Sequence, residues 1–132
     1  MAGKVNLADR FARFDEHWSP KIMAAVNDYD VKVVKAEGEF VWHQHDDTDE
    51  FFLVTAGRLR IMLEGGPSGD DEVVLGPGEL FVVPRGARHC PMADPGTQIV
   101  LLEPRETVNT GDAAGAADVA GQPGTVGEQL TD

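Results

Sequence analysis

The spacing of apolar residues changes once along this chain. Between Asn6 and Trp18 the apolar side chains Leu7, Phe11, Phe14 and Trp18 recur at helical intervals, with Asn6 as a candidate N-cap and Pro20 closing the segment. This spacing predicts a short amphipathic helix or helical turn in residues 1–21, its apolar side covering an edge or end of the fold formed by the rest of the chain. From Ile22 onward the helical interval fades and short β-type runs replace it: Val31–Val34, Glu39–His43, Phe51–Thr55, Leu59–Leu63, Val73–Leu75, Leu80–Val83 and Ile99–Leu102. Turn chemistry separates them, at Asn27-Asp28, Ala56-Gly57, Gly65 to Gly69, Gly76-Pro77-Gly78, Pro84-Arg85-Gly86 and Pro95-Gly96.

Many short strands with frequent turns and no intervening helix predict an all-β antiparallel sandwich or barrel over residues 22–110. The strands at Phe51–Val54 and Leu80–Val83 are apolar on both faces, so one face lines the barrel and the other meets a second sheet or a partner subunit. Past Asn109-Thr110, residues 111–132 hold five glycines, many alanines, four acidic residues and no basic one. So few large apolar groups do not offset the entropy of ordering, and a flexible tail is expected, unless Val126 or Leu130 docks on the barrel.

Composition narrows the partners. The 132 residues, 42% of them apolar, fit one domain with one core. Against 11 Lys and Arg stand 23 Asp and Glu, a net charge of −12, the wrong sign for neutralising nucleic-acid phosphates or binding an anionic membrane. No apolar run approaches the roughly 18 residues of a spanning helix and no charged-then-apolar leader is read at the N-terminus, so a cytoplasmic protein is expected. Cys90 is the only cysteine, which removes intramolecular disulfides and thiolate-cluster zinc sites.

The chemistry gathers in the stretch Gly38 to Gly57, at His43-Gln44-His45 and Glu50. Residues two apart in a strand share a face, with Cα atoms roughly 6.7 Å apart, so His43 and His45 can aim both imidazoles at one spot. A carboxylate nearby makes this half a metal site. The second half is Gly78 to His89, a strand entering the turn Pro84-Arg85-Gly86, which brings the chain back and presents His89.

The two stretches together resemble the paired motifs of the cupin superfamily. His43, His45, Glu50 and Gly57 match the first; Gly78, Pro84, Gly86 and His89 match the second. Gly38 stands one residue too near His43, and Ala93 occupies the place of the second motif's asparagine; neither change removes a ligand. The text Asp49-Glu50-Phe51-Phe52 and the run Thr107 to Asp112 resemble the small single-domain cupins of the mannose-6-phosphate-isomerase-like group. The resemblance implies a jelly-roll barrel, or double-stranded β-helix, a metal held by His43, His45, Glu50 and His89, and a homodimer. It leaves the substrate open, because the reaction of most members of that group is not known.

Three imidazoles and one carboxylate suit a divalent transition metal such as Fe, Mn, Ni or Zn and exclude an all-oxygen site. Two of six positions would stay open to water, dioxygen or a chelating substrate. Asp49 is an alternative carboxylate, since both spacings from His45 are allowed, while the six residues that the first motif sets between its Glu and its Gly, counted from Gly57, select Glu50. Asp46, Asp47 and Asp49 otherwise read as a solvated acidic turn. His17 reads as a surface or helix residue, and Cys90, facing away from His89, as a packed thiol. Candidate pocket residues are Trp42, Phe52, Val54, Arg60, Met62 and Arg88, each of which has an ordinary core or surface role to fall back on. Two functions are expected on these grounds: a metal-dependent oxygenase- or isomerase-type enzyme acting on a small oxygen-bearing molecule, with no catalytic residue assigned beyond the ligands, or a non-catalytic cupin that binds or senses a small molecule or a metal.

Overall fold

In the computed structural model residues 3–66, 69–113 and 124–130 are described. These described residues form one α-helix, α1 (Leu7–Phe11), and eight strands: β1 (Lys21–Val26), β2 (Tyr29–Glu39), β3 (Glu50–Ala56), β4 (Leu59–Gly66), β5 (Gly69–Leu75), β6 (Leu80–Val83), β7 (His89–Pro104) and β8 (Glu128–Gln129). The strands form a jelly-roll barrel.

The long strand β7 organises it. Its first half pairs with β4 and its second half with β3, while β2 runs beside both, from Tyr29 opposite Pro104 to Glu39 opposite Met92. The sheet continues to β5 through β4, to β6 through β3, and to β1 and β8 through β2. Alternation along the strands sends one set of side chains inward: Val34, Phe52, Val54, Leu59, Ile61, Ile99 and Leu101 form the inner core. The opposite faces of β2 and β7 carry Val33 and Val100, which pack under Phe11 and Phe14. Burying these outer apolar faces is what holds the N-terminal segment on the barrel.

The predicted helix is a single turn and a half. Asn6 caps it as expected, its Oδ1 accepting from Asp9 N at 2.9 Å, but it ends at Phe11. Phe14 and Trp18 are buried beyond the helix, Trp18 with a left-handed φ of 56°. The apolar spacing survives because both residues meet the barrel, not because the helix continues.

Three strand readings are corrected. β1 is an addition to the predicted strands, since Lys-Ile-Met-Ala-Ala-Val lacks a clear β pattern. Of the predicted strand Glu39–His43 only Glu39 stays in β2, opposite Met92; past it Phe40 N donates to Pro91 O at 2.9 Å and His43 keeps a lone bridge to His89. Pro95-Gly96 is a bulge within β7 instead of a strand end: Thr97 Oγ1 donates to Asp94 O at 2.7 Å and accepts from Arg58 N at 3.1 Å, which carries the strand past the bend.

The tail differs from expectation where it is described. Gly111–Ala113 forms a short 3-10 turn, β8 pairs with β1 in parallel, the one departure from antiparallel pairing among the described strands, and Leu130 packs on the outer core. Asn109 and Thr125 exchange hydrogen bonds of 2.9 and 2.8 Å that bring the returning chain back to the barrel. Backbone pairing and one apolar anchor supply what composition did not promise. The rest of the expected tail, residues 114–123 and 131–132, lies outside the described residues.

Candidate metal centre

Backbone geometry brings the two sequence stretches together. His43 N donates to His89 O at 2.9 Å and His89 N to His43 O at 2.8 Å, so the two residues sit directly opposite as a hydrogen-bonded antiparallel pair. Their rings are 4.4 Å apart, centroid to centroid. The Pro84-Arg85-Gly86 turn is tied to the first stretch by Gly86 N donating to His45 O at 2.8 Å. Glu50, the first residue of β3, points inward from the adjoining wall.

His43, His45, Glu50 and His89 are all buried, and each offers a ligand atom within 4.8 Å of the others. His89 Nε2 lies 2.8 Å from Glu50 Oε1, and His45 Nε2 lies 3.0 Å from Oε2. Behind the rings, His43 Nδ1 meets Val41 O and His89 Nδ1 meets Ala87 O, each at 2.9 Å. With Nδ1 donating its proton to a carbonyl, each Nε2 keeps a lone pair for the centre. His43 Nε2 is buried with no hydrogen-bond partner, and His45 Nε2 has only the Glu50 carboxylate beside it. Buried polar atoms are rarely left this way, and a borderline divalent cation among three nitrogens and a carboxylate satisfies them. The cluster fits a metal site.

The electrostatics of His43 agree with that use. Burial pushes His43 down to about 4, against the pull of the Glu50 charge and helped by the neighbouring rings, so it stays neutral and able to ligate near pH 7. Burial would lower His45 too, but contact with Glu50 and the charges of Glu50, Glu103 and Asp112 raise it overall. For Glu50 burial alone would raise the carboxyl; His45 and His89 together hold it well below the usual range. Asp49 is exposed and accepts from Arg85 N at 2.9 Å, so it braces the turn and stands outside the cluster.

The pocket differs from the expected one. An apolar cavity of about 30 Å³ abuts His43 and Glu50, walled by Trp18, Phe40, Phe52, Pro91, Leu101 and Asn109. Of the expected residues only Phe52 lines it. Val54 is fully buried in the inner core. Arg60 and Met62 alternate with inward Leu59 and Ile61, so they face outward. Arg88 pairs with Glu64 at 3.2 Å on the surface, and half-buried Trp42 is absent from the wall. Trp18 and Asn109 were missed because they reach the cavity from outside the motifs; the burial promised by Trp18's helical spacing was the only signal. His17 is exposed, as expected. Cys90 is buried, its thiol pushed up to about 11 by burial and then by Glu39, which makes it a packed, inert group.

A second, wider cleft of about 450 Å³ opens beside His45, lined by Asp46, Asp47, Glu106 and Asp112, with one cation, Arg105, among the described residues that line it. The centre therefore stands between an apolar cavity and an acidic mouth.

Comparison with known proteins agrees with the fold. A crystal structure of a cupin-2 domain containing protein from Shewanella frigidimarina superposes with a TM-score of 0.71 at 46% identity, over 76% of this chain and 94% of that one. Protein NMB1881 from Neisseria meningitidis matches with a TM-score of 0.67 at 26% identity, over 77% of this chain and 99% of that one. The uncharacterized protein YdbB of Bacillus subtilis is 33% identical over 67 residues, 51% of this chain and 56% of that protein, so the chain spans little more than half of that relative. The sequence profile of the family described as Cupin domain matches residues 30–103, which run from β2 to the end of β7 and hold all four clustered residues: the chain belongs to the cupin domain family.

Proposed function

We propose that this cupin is a metal-dependent enzyme acting on a small oxygen-bearing molecule, of oxygenase or isomerase type. His43, His45, Glu50 and His89 would hold one divalent transition metal, Fe, Mn, Ni or Zn. The observation that carries this is the buried cluster of three imidazoles and one carboxylate with ligand atoms within 4.8 Å of one another, His43 Nε2 among them having no hydrogen-bond partner. When bound, such an ion polarises a substrate oxygen or lowers the pKa of a bound water. The chain's own residues supply the rest. Val41 O and Ala87 O orient the rings, and Trp18, Phe40 and Phe52 keep bulk water from the inner side.

Among the described residues no Lys or Arg lines the apolar cavity, which supports an uncharged or metal-chelating substrate over a sugar phosphate on that side. The test is elemental analysis of protein expressed in metal-replete medium, together with oxygen-uptake and isomerase assays. Stoichiometric metal in wild type, its loss in His45→Ala, and turnover in one assay class are expected. Equally metal-free wild type and variant would sink the proposal.

One observation favours the second reading, a non-catalytic binding or sensing cupin: the cavity of about 30 Å³ has room for little more than a water-sized guest. Tight ligand or metal binding without turnover across the panel would select it. The expected homodimer belongs to the same proposal, with the exposed outer-face residues Val74, Leu80 and Val82 as its contact. Light scattering that shows only monomer at micromolar concentration removes it.

A further inference from the structure

Lys32 and Glu103 form an ion pair inside the barrel, 2.8 Å between Nζ and Oε1, with side-chain exposures of 0% and 1%. Lys32 lies on the inward face of β2 with Val34 and Ala36, and Glu103 on the inward face of β7 with Ile99 and Leu101. Removing two charges from water costs several kcal/mol per ion, and a pair repays this only when its remaining donors and acceptors are satisfied. Lys32 has a further acceptor in Thr107 O at 3.2 Å. Glu103 has no such second partner among the described residues: Lys32 meets Oε1, and Oε2 is buried with no hydrogen-bond partner.

On the other side of Glu103 lies the metal centre. β3 and β7 pair Phe51 with Leu102, so the next inward-facing position sets Glu50 across from Glu103. Directly opposed side chains on an antiparallel pair have Cβ atoms about 5 Å apart. Two buried carboxylates at opposed positions repel, and burial with the Glu50 charge pushes Glu103 up to about 7, against the pull of Lys32. The Glu103 charge is also among those that raise His45. Yet Glu103 stands outside the four-residue cluster. A divalent cation held by Glu50 relieves this repulsion without touching Glu103.

We propose that Glu103 is a positioning residue of the metal centre, a non-ligating second carboxylate whose charge strengthens the hold of Glu50 and His45 on a cation, with Lys32 offsetting that charge when no cation is held. The inference rests on the metal-centre reading above.

The test is Zn²⁺ affinity, measured by competition with a chromophoric chelator above neutral pH, together with the reduction potential of iron-loaded protein. Glu103→Gln should weaken Zn²⁺ binding by about 10- to 100-fold and raise the iron potential, because it leaves Lys32 uncompensated. Glu103→Asp, which keeps the charge, should stay nearer wild type. Lys32→Met should act in the opposite direction on both readouts. If either single variant fails to fold, Lys32→Met/Glu103→Gln carries no buried charge and replaces it; it should bind Zn²⁺ more weakly than wild type, by less than the full effect of Glu103→Gln. Single variants that weaken binding alike with an unmoved potential, or a double variant equal to wild type, overturn the inference. Wild type that binds no metal overturns the metal centre and this inference together, whereas wild-type binding with indifferent variants overturns this inference alone.

Discussion

Gln44, the residue between the two histidines, is joined to Asp112 by a reciprocal pair of hydrogen bonds: Gln44 N donates to Asp112 Oδ1 at 2.9 Å, and Asp112 N to Gln44 O at 3.0 Å. The preceding residue, Gly111, adopts a φ of 52° against this segment, where a Cβ would overlap Gln44 O and press within 3.1 Å of His43 Cδ2. The segment after the barrel thus clamps the chain that carries both imidazoles. Asp112→Ala should lower stability by about 1 kcal/mol and metal affinity by about tenfold, since groups that orient ligands contribute on that scale. Chelator competition and denaturant titration on the same samples check it. A full stability loss with unchanged affinity would show the clamp to be structural only.

Acid should act on the metal-free protein through His43 first. Its folded pKa of about 4 lies below the ordinary 6.5, so the unfolded chain binds a proton that the folded chain refuses. That contribution is fully present above pH 6.5 and is lost as pH falls from 6.5 toward 4, up to about 3 kcal/mol. Glu50, held low in the fold, adds a further loss below its ordinary value of 4.5. His45 works the other way: its raised pKa gives stability below its unfolded value that is lost as pH rises through its folded value. Denaturant midpoints against pH should therefore fall steeply on the acid side, and His43→Gln should flatten the stretch from pH 6.5 to 4. An unchanged slope in that variant would refute the assignment.

Much of the centre was legible because its ligands are local text. His43, His45 and Glu50 are set by strand alternation and one turn, and His89 by Pro84 and Gly86, all within short spacings. The carboxylate alternative needed the structure, since Asp49 and Glu50 differ only in which way one residue faces as β3 begins. What stayed hidden depended on long-range closure. Asn109 reaches the cavity through its bonds to Trp18 O and Thr125, and no spacing encodes those. Arg60 and Met62 failed for another reason: the parity of β4 is fixed by inward Leu59 and Ile61, and a one-residue change of parity turns every side chain over. The bulge at Asp94 to Gly96 was mistaken for a strand end because turn chemistry serves both.

Gly57, which closes the first motif, has a φ of 80°, and a Cβ there would collide with the backbone and hydroxyl of Thr97. Thr97 is the residue that carries β7 through its bulge, so the two constraints meet. Gly57→Ala should cost more than about 1 kcal/mol of backbone strain alone and more again for displacing Thr97. Thermal and denaturant unfolding measure this directly. A loss no larger than that of an ordinary surface substitution would mean that β7 yields easily at the bulge.

Trp18 should control access to the inner side of the centre. Its backbone N donates to Lys35 O at 2.8 Å, its indole Nε1 to Glu37 O at 3.0 Å, and its ring stacks on Phe40 at 4.8 Å. Its carbonyl accepts from Asn109 Nδ2 at 3.2 Å, so both chain ends of the barrel meet at this residue. A φ of 56° at a bulky residue is a strained state that only these contacts maintain. Trp18→Ala would remove most of one cavity wall and the indole's hydrogen bond, at about 3–5 kcal/mol. Trp18→Phe keeps an aromatic wall, loses only the indole's bond and extra volume, and should cost less. In metal-loaded protein the two variants should admit ring-sized neutral ligands to the metal in the order Ala, then Phe, then wild type, read from the visible spectrum of the Co²⁺ form. If ligand access is the same in all three, guests reach the metal through the acidic mouth beside His45, and Trp18 is part of the core alone.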